Sequence, residues 1–227
     1  MLTLQSSSKL HRTKEEYAYD TLRAAIMRCE LPPGEKLVID TLSFELNISP
    51  IPIRAALQRL QAEGLIEIIP HTGAIVAPIS PDLNSEIFTL LEMLESTALR
   101  AISEKATAAD LARLRHFVVA MDEAMQKGDT EQWSILNTEF HKAIAQMTHM
   151  KMLVEFTSRV FDSWNRLQHC YLKSIVGARM PQAQAEHHQM LDLLERRETE
   201  ALLALVAQHN RQALTAYEEL LCQQTHF

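Results

Sequence analysis

Between Asp40 and Pro78 the chain places a short helix, a longer helix and two short strands in quick succession, and few small folds satisfy that order. The segment "DTLSFELN" reads as the short helix, with Asp40 or Thr41 as its cap and Asn47 suited to a left-handed residue at its end. "SPIPIRAALQRL" follows. Ser49 can cap this second helix, and proline is tolerated in a first turn, where the amide N–H has no partner in any case. Ile53, Ala56, Leu57 and Leu60 recur at helical spacing as one buried stripe. Arg54, Gln58 and Gln61 lie opposite, with Arg59 beside them. After Gly64, "LIEIIP" and "AIVAP" read as strands joined by the tight turn "HTG". An earlier helix from Tyr17 to Cys29 carries Ala18, Leu22, Ala25 and Ile26 on one face and is stopped by "LPPGEKL". Three helices and a two-stranded wing are the layout of a winged helix-turn-helix, whose third helix projects.

Beyond this segment the texture changes. Five of the eight prolines lie between residues 32 and 70, whereas helix signals repeat without a strand pattern from Asp82 onward. Helices are expected near 82–104, 108–127, 130–148, 151–174, 180–196 and 198–222, with starts at Asp82, Thr107, Asp129 or Thr130, and Pro181. The expected architecture is mainly α: a winged helix-turn-helix over 1–78, then an all-α six-helix bundle over 79–227. Charge divides along the same line. Residues 1–78 hold eight Lys/Arg against nine Asp/Glu, and residues 79–227 hold fourteen against twenty. A net charge of −7 excludes a protein that coats nucleic acid indiscriminately, so any nucleic-acid role belongs to the near-neutral first part. No apolar run approaches a membrane span and no signal peptide is evident, so no membrane partner is expected. Cys29, Cys170 and Cys222 are odd in number and form no C-x-x-C, which fits a reducing cytosol and neither a disulfide framework nor a thiolate zinc site.

"YDTLRAAIMRCELPPGEKL" and "LSFELNISPIPIRAALQRLQAEGLIEIIPHTGAIVAPIS" resemble the N-terminal domain of GntR-family transcription regulators. "EMLE", "NTEFHKAIAQ", "EHHQMLDLL" and "VAQHNRQAL" resemble the helical FCD domain of the FadR-type branch, in its shorter, VanR-like form. The resemblance spans about residues 12–222. It implies a cytoplasmic, homodimeric, ligand-controlled repressor that binds a near-palindromic double-stranded DNA operator. The departures are specific. The family's helix start reads S-R-x-P-V-R-E-A-L, and here it reads S-P-I-P-I-R-A-A-L. Arg54 matches the second arginine, Pro50 stands at the first, and the often basic wing tip is His71-Thr72-Gly73. The expected DNA-contacting set is therefore Ser49, Pro50, Ile51, Arg54, Gln58, Arg59, His71, Thr72 and Gly73. An arginine bidentate to guanine is worth about 1–3 kcal/mol of discrimination. A proline in its place offers only apolar contact, which points to a different and more A·T-tolerant half-site.

In the acidic part, Asn137 and His141 lie one helical turn apart on the stripe of Trp133, Leu136, Phe140 and Ile144. His187 shares the stripe of Met190, Leu191 and Leu194, and His209 that of Leu202, Leu205, Val206 and Ala213. Three inward histidines from three helices suit Zn²⁺, Ni²⁺ or a similar borderline metal, and hydrogen-bonded core residues are the alternative. The resemblance implies a ligand set at Asn137, His141, His187 and His209, where the metal-binding relatives carry Asp at the first position. His188 falls on an exposed stripe and is left out. An uncharged amide at Asn137 leaves a divalent ion's charge uncompensated and favours an anionic effector such as a small carboxylate. Many relatives have an arginine where this chain has Leu91, so Arg159 and Arg166 become the candidates for gripping that effector.

Two rival functions are weaker. A metal-dependent enzyme on a helical bundle needs a general base beside the open position, yet there is no H-E-x-x-H, and Glu186 is expected to face away from His187. A structural adaptor with a degenerate DNA-binding domain is compatible with Pro50 and the non-basic wing.

Overall fold

The structure is a computed structural model that describes residues 13–70, 73–80, 82–172 and 176–224. The chain divides into two compact units, Met1–Ile79 and Ser80–Phe227.

In the first unit, α1 (Lys14–Met27) begins earlier than its apolar stripe suggests. The Glu16 amide donates to the Thr13 hydroxyl at 3.1 Å, and the Thr13 amide donates to the Glu16 carboxylate at 2.8 Å. This reciprocal cap satisfies two N–H groups that a helix start otherwise leaves open. α2 spans Ile39–Leu46 with Val38 at its cap position, so Asp40 and Thr41 lie inside the helix and do not cap it. Asn47 does adopt the left-handed conformation, at φ 54° and ψ 45°. α3 spans Pro50–Ala62 and buries Ile53, Ala56, Leu57 and Leu60, as the spacing demands. Ser49 occupies its cap position with an extended backbone, but its side chain makes no capping bond.

β2 (Ile66–Ile69) and β3 (Gly73–Val76) pair antiparallel, with Ile66 opposite Val76 and Ile69 opposite Gly73. A further strand, β1 (Lys36–Leu37), completes a three-stranded sheet in the order β1-β3-β2. Two residues are too few to show a sequence period, which is why this strand is not legible in the chain. Gly73 is fixed by this addition. Its φ is +134°, and a Cβ there would meet the Leu37 carbonyl oxygen at 2.5 Å, so any side chain would push on backbone. Ala18, Leu22 and Ile26 of α1 join Leu37, the α3 stripe, Ile66 and Val76 in one small core.

The second unit is all helical among the described residues. Its elements are α4 (Leu83–Ile102), α5 (Ala108–Gln126), α6 (Thr130–Met147), α7 (Lys151–Leu167), α8 (Val176–Glu195) and α9 (Thr199–Gln224). Thr107 and Asp110 form a reciprocal cap on α5, and Asp129 accepts from the Gln132 amide at 2.9 Å to start α6. Two boundaries differ from the expected ones. α7 gives way at Gln168–Leu172 to a π-helical turn rather than running on to residue 174. α8 begins at Val176, with Pro181 inside it and not at its start. Pro181 has no amide N–H to give the carbonyl of Gly177, so α8 runs through it with that helical bond missing.

Candidate functional site

In the first unit a groove of about 480 Å³ runs between α3 and the hairpin, lined by Val38, Arg54, Gln58, Ile68, Pro70 and Gly73. Arg54 and Gln58 are exposed, and among the described residues Arg54 pairs with no carboxylate. Ser49, Pro50 and Ile51 form the exposed leading edge of α3, Ile51 at 79 % exposure. Arg59 differs from the others in the expected set. Its guanidinium sits 3.8 Å from the centre of the Tyr19 ring and 3.6 Å from Glu15, so α1 holds it. His71 and Thr72 lie outside the described residues. Gly73 opens β3, where the close approach of Leu37 accounts for it without DNA.

The second unit brings the three predicted histidines together. His141 of α6, His187 of α8 and His209 of α9 are 3 %, 0 % and 7 % exposed. One ring nitrogen from each lies within 4.8 Å of the others. Every Nδ1 faces an oxygen. His141 Nδ1 is 2.6 Å from Glu95 Oε1, His209 Nδ1 is 2.6 Å from Glu186 Oε2, and His187 Nδ1 is 3.4 Å from Gln184 Oε1. A proton on each Nδ1 leaves the lone pair on Nε2, the arrangement that orients imidazole as a metal ligand. The Nε2 of His187 is buried with no hydrogen-bond partner, and so is the Oδ1 of Asn137. Three imidazole nitrogens and one carbonyl oxygen are donors a borderline divalent ion accepts, so the residues present fit such an ion.

Asn137, His141 and His209 also line a cavity of about 40 Å³. At roughly 10–15 Å³ per water, that is room for about three. The opposite wall is aromatic: Trp164 lies 5.1 Å from Phe88 and 4.6 Å from Tyr217 between ring centres. Arg179 lines the same cavity at 6 % exposure. Its Nη2 donates to Glu186 at 2.5 Å, whereas Nε and Nη1 have no partner. The two arginines expected to serve an effector are elsewhere. Arg159 is exposed and pairs with Glu155 at 2.8 Å, and Arg166, although buried, is not in the cavity wall.

Glu95, Glu186 and Arg179 join the expected residues around the cluster. Glu95 sits on the α4 stripe with Phe88, Leu91, Ala98 and Ile102, and a carboxylate among those residues was the available signal. Glu186 does not face away from the site. Adjacent helix residues point about 100° apart, so it leaves the His187 stripe but meets His209 on α9. Two carboxylates thus stand behind the histidines: Glu186 is hydrogen-bonded to His209, and Glu95 lies 2.6 Å from His141 Nδ1 as an ion-pair contact without hydrogen-bond geometry.

Burial pushes the Glu95 carboxyl up, but the adjacent His141 and His209 rings and the Asn210 amide outweigh it and hold it below the usual range. Glu186 behaves alike: bonds from His209 and Arg179 overcome its burial. Burial, then repulsion from His209 and His141, drives His187 well below the ordinary histidine range. Burial also lowers His209, against the pull of Glu186. In metal-free protein these directions give a pH dependence. Below about pH 6.5 the unfolded histidines gain protons that the folded ones refuse, so stability falls by up to about 1.4 kcal/mol per pH unit for each. The carboxylates add to the loss further down, as acid reaches their lowered folded range. Urea unfolding in EDTA between pH 7.5 and 5 should show the decline, and a flat profile would mean that neither histidine is held neutral.

Residues 86–212, more than half of the chain, match the FCD domain family, and residues 14–76 match the family described as bacterial regulatory proteins, gntR family. The chain belongs to the GntR family. This GntR regulator is 32% identical over 130 residues to an uncharacterized HTH-type transcriptional regulator of Agrobacterium vitis, covering 56% of this chain and 76% of that one. It is 27% identical over 183 residues to the HTH-type transcriptional regulator McbR of Escherichia coli, covering 79% and 83%. The solved structure of E. coli McbR/YncC superposes with a TM-score of 0.75 at 24% identity, over 92% of this chain and 99% of that one, and shows the same fold. This GntR regulator is thus a transcription regulator and not an enzyme, with a DNA-binding first unit and an effector-binding second unit. Among the described residues no helix is long and apolar enough to cross a membrane.

Proposed function

We propose that this regulator is a cytoplasmic, homodimeric repressor released from its operator by a small, singly charged carboxylic acid, with Asn137, His141, His187 and His209 holding a divalent ion of the zinc or nickel kind. The observation that carries this reading is Arg179, a buried guanidinium with two unpartnered nitrogens in the wall of the cavity that Asn137, His141 and His209 share. Buried charged donors without an acceptor are costly, and an incoming anion removes the cost. Charge selects the class of anion. Three neutral imidazoles, two carboxylates, one guanidinium and a divalent ion leave one net positive charge, which a monoanion neutralises. When bound, the ion supplies a Lewis-acidic anchor for a carboxylate oxygen. Phe88, Trp164 and Tyr217 favour an apolar body on the acid.

For DNA, Arg54 and Gln58 supply the polar contacts and Ile51 the apolar one, and two third helices about 34 Å apart match a near-palindromic site. The ligand acts by linkage: an acid that binds the DNA-free dimer better weakens operator affinity by the ratio of its two affinities. Fluorescence anisotropy on duplexes from the region upstream of the coding sequence tests both parts. Arg54→Ala is expected to lose about 1–3 kcal/mol of affinity, roughly 5- to 150-fold. In the zinc-loaded protein, benzoate-like monoacids should lower affinity and dicarboxylates should not. No retention of any duplex at low salt would overturn the operator reading, and indifference to every monoacid would overturn the effector.

A further inference from the structure

We infer that Gln184, locked in one orientation by Val118, Asp122 and Trp133, sets the tautomer of His187, and does so without adding a charge to the site. Gln184 lies on α8 three residues before His187 and is 2 % exposed. Its amide nitrogen donates to the Val118 carbonyl at 2.9 Å and to Asp122 Oδ1 at 2.8 Å. Both acceptors are acceptors only, and an amide has two N–H groups, so both are used. At the other end, Trp133 Nε1 donates to Gln184 Oε1 at 3.2 Å. An indole nitrogen is a donor only. With acceptors fixed at one end and a donor at the other, the amide cannot be turned over, whichever way its oxygen and nitrogen are first assigned.

The consequence reaches His187. Its Nδ1 faces the same Oε1 at 3.4 Å, and an oxygen that accepts from Trp133 also requires a donor there. The proton therefore sits on Nδ1 and the lone pair on Nε2. This reverses the preference of an unconstrained neutral histidine ring, which carries its proton on Nε2. His209 is hydrogen-bonded to a carboxylate, Glu186, and His141 Nδ1 faces another, Glu95, at 2.6 Å. His187 alone has a neutral partner. A third carboxylate would cancel the single positive charge that draws the effector. The anchoring Asp122 stands further out, where exposed His188 meets it at 3.0 Å. The metal and effector side of this inference rests on the proposed function, whereas the tautomer does not. Gln184 and Asp122 are positioning residues, since they act through His187.

Two-bond proton–nitrogen correlation spectra of the metal-free, full-length protein test it, with His187 assigned by comparison with His187→Phe. The wild type should show neutral His187 protonated on Nδ1, and protonation on Nε2 would overturn the inference. Gln184→Met keeps the length and removes the acceptor. It should move the His187 proton to Nε2 and weaken zinc, titrated against a competing chelator, about 10- to 100-fold. An unchanged tautomer would also overturn it, whereas a changed tautomer with unchanged zinc affinity would uphold Gln184 as the group that sets the tautomer and overturn its bearing on the metal. Should Gln184→Met fail to fold, the wild-type spectrum decides. If wild-type protein shows the Nδ1 proton but takes up no zinc, the metal reading alone falls.

Discussion

Replacing Glu186 by alanine is expected to cost the second unit about 3–5 kcal/mol, the range for removing one partner of a buried ion pair. Glu186 accepts from Arg179 at 2.5 Å and from His209 at 2.6 Å. Without it, the Arg179 guanidinium stays buried with no acceptor on any nitrogen, and His209 loses the group that orients it. Glu186→Gln keeps an acceptor but not the charge and should cost less. Urea unfolding in EDTA at neutral pH measures both, and an alanine variant within about 1 kcal/mol of wild type would show that Arg179 finds another acceptor. Excess formate should recover part of the loss in Glu186→Ala, because it supplies the missing negative charge to the same guanidinium.

The second large effect is that of zinc on protein stripped with a chelator and then freed of it. A ligand at a thousand times its dissociation constant adds about 4 kcal/mol to stability. For a unit of this size each kcal/mol moves the melting temperature by about 2–4 °C, so the expected rise is on the order of 10 °C. His187→Ala should abolish it. Asn137→Asp should enlarge it at low zinc, because a charged oxygen replaces an amide oxygen in the donor set. Differential scanning fluorimetry gives the ranking, and a wild-type melting point that zinc leaves unmoved would remove the metal from this protein's chemistry.

Much of both units is legible in the chain because local chemistry and packing agree there. The α3 stripe of Ile53, Ala56, Leu57 and Leu60, the left-handed Asn47 and the Thr107 cap each follow from one physical rule. The convergence of His141, His187 and His209 also follows, since an inward position on each of three packed helices leaves little other space. Arg179 escapes for a definite reason. Taking Pro181 as the helix start leaves Arg179 in a loop, whereas a helix from Val176 places it in the first turn against the cavity. Arg159 and Arg166 show the converse limit. Seven residues apart, they share a helix face, yet one is exposed and the other buried. Periodicity gives direction around a helix and not what is packed against each turn. Gln184 is less legible still, because its role depends on partners 51, 62 and 66 residues away.

The size of the cavity in the second unit has a mechanical result. Space for about three solvent molecules admits no acid with a ring or branched tail unless the surrounding helices yield. A receptor with a roomy chamber could fill silently and leave its walls where they were. For the proposed acid, occupancy and displacement would be one event, and the arrival of a guest would already be a movement of the scaffold.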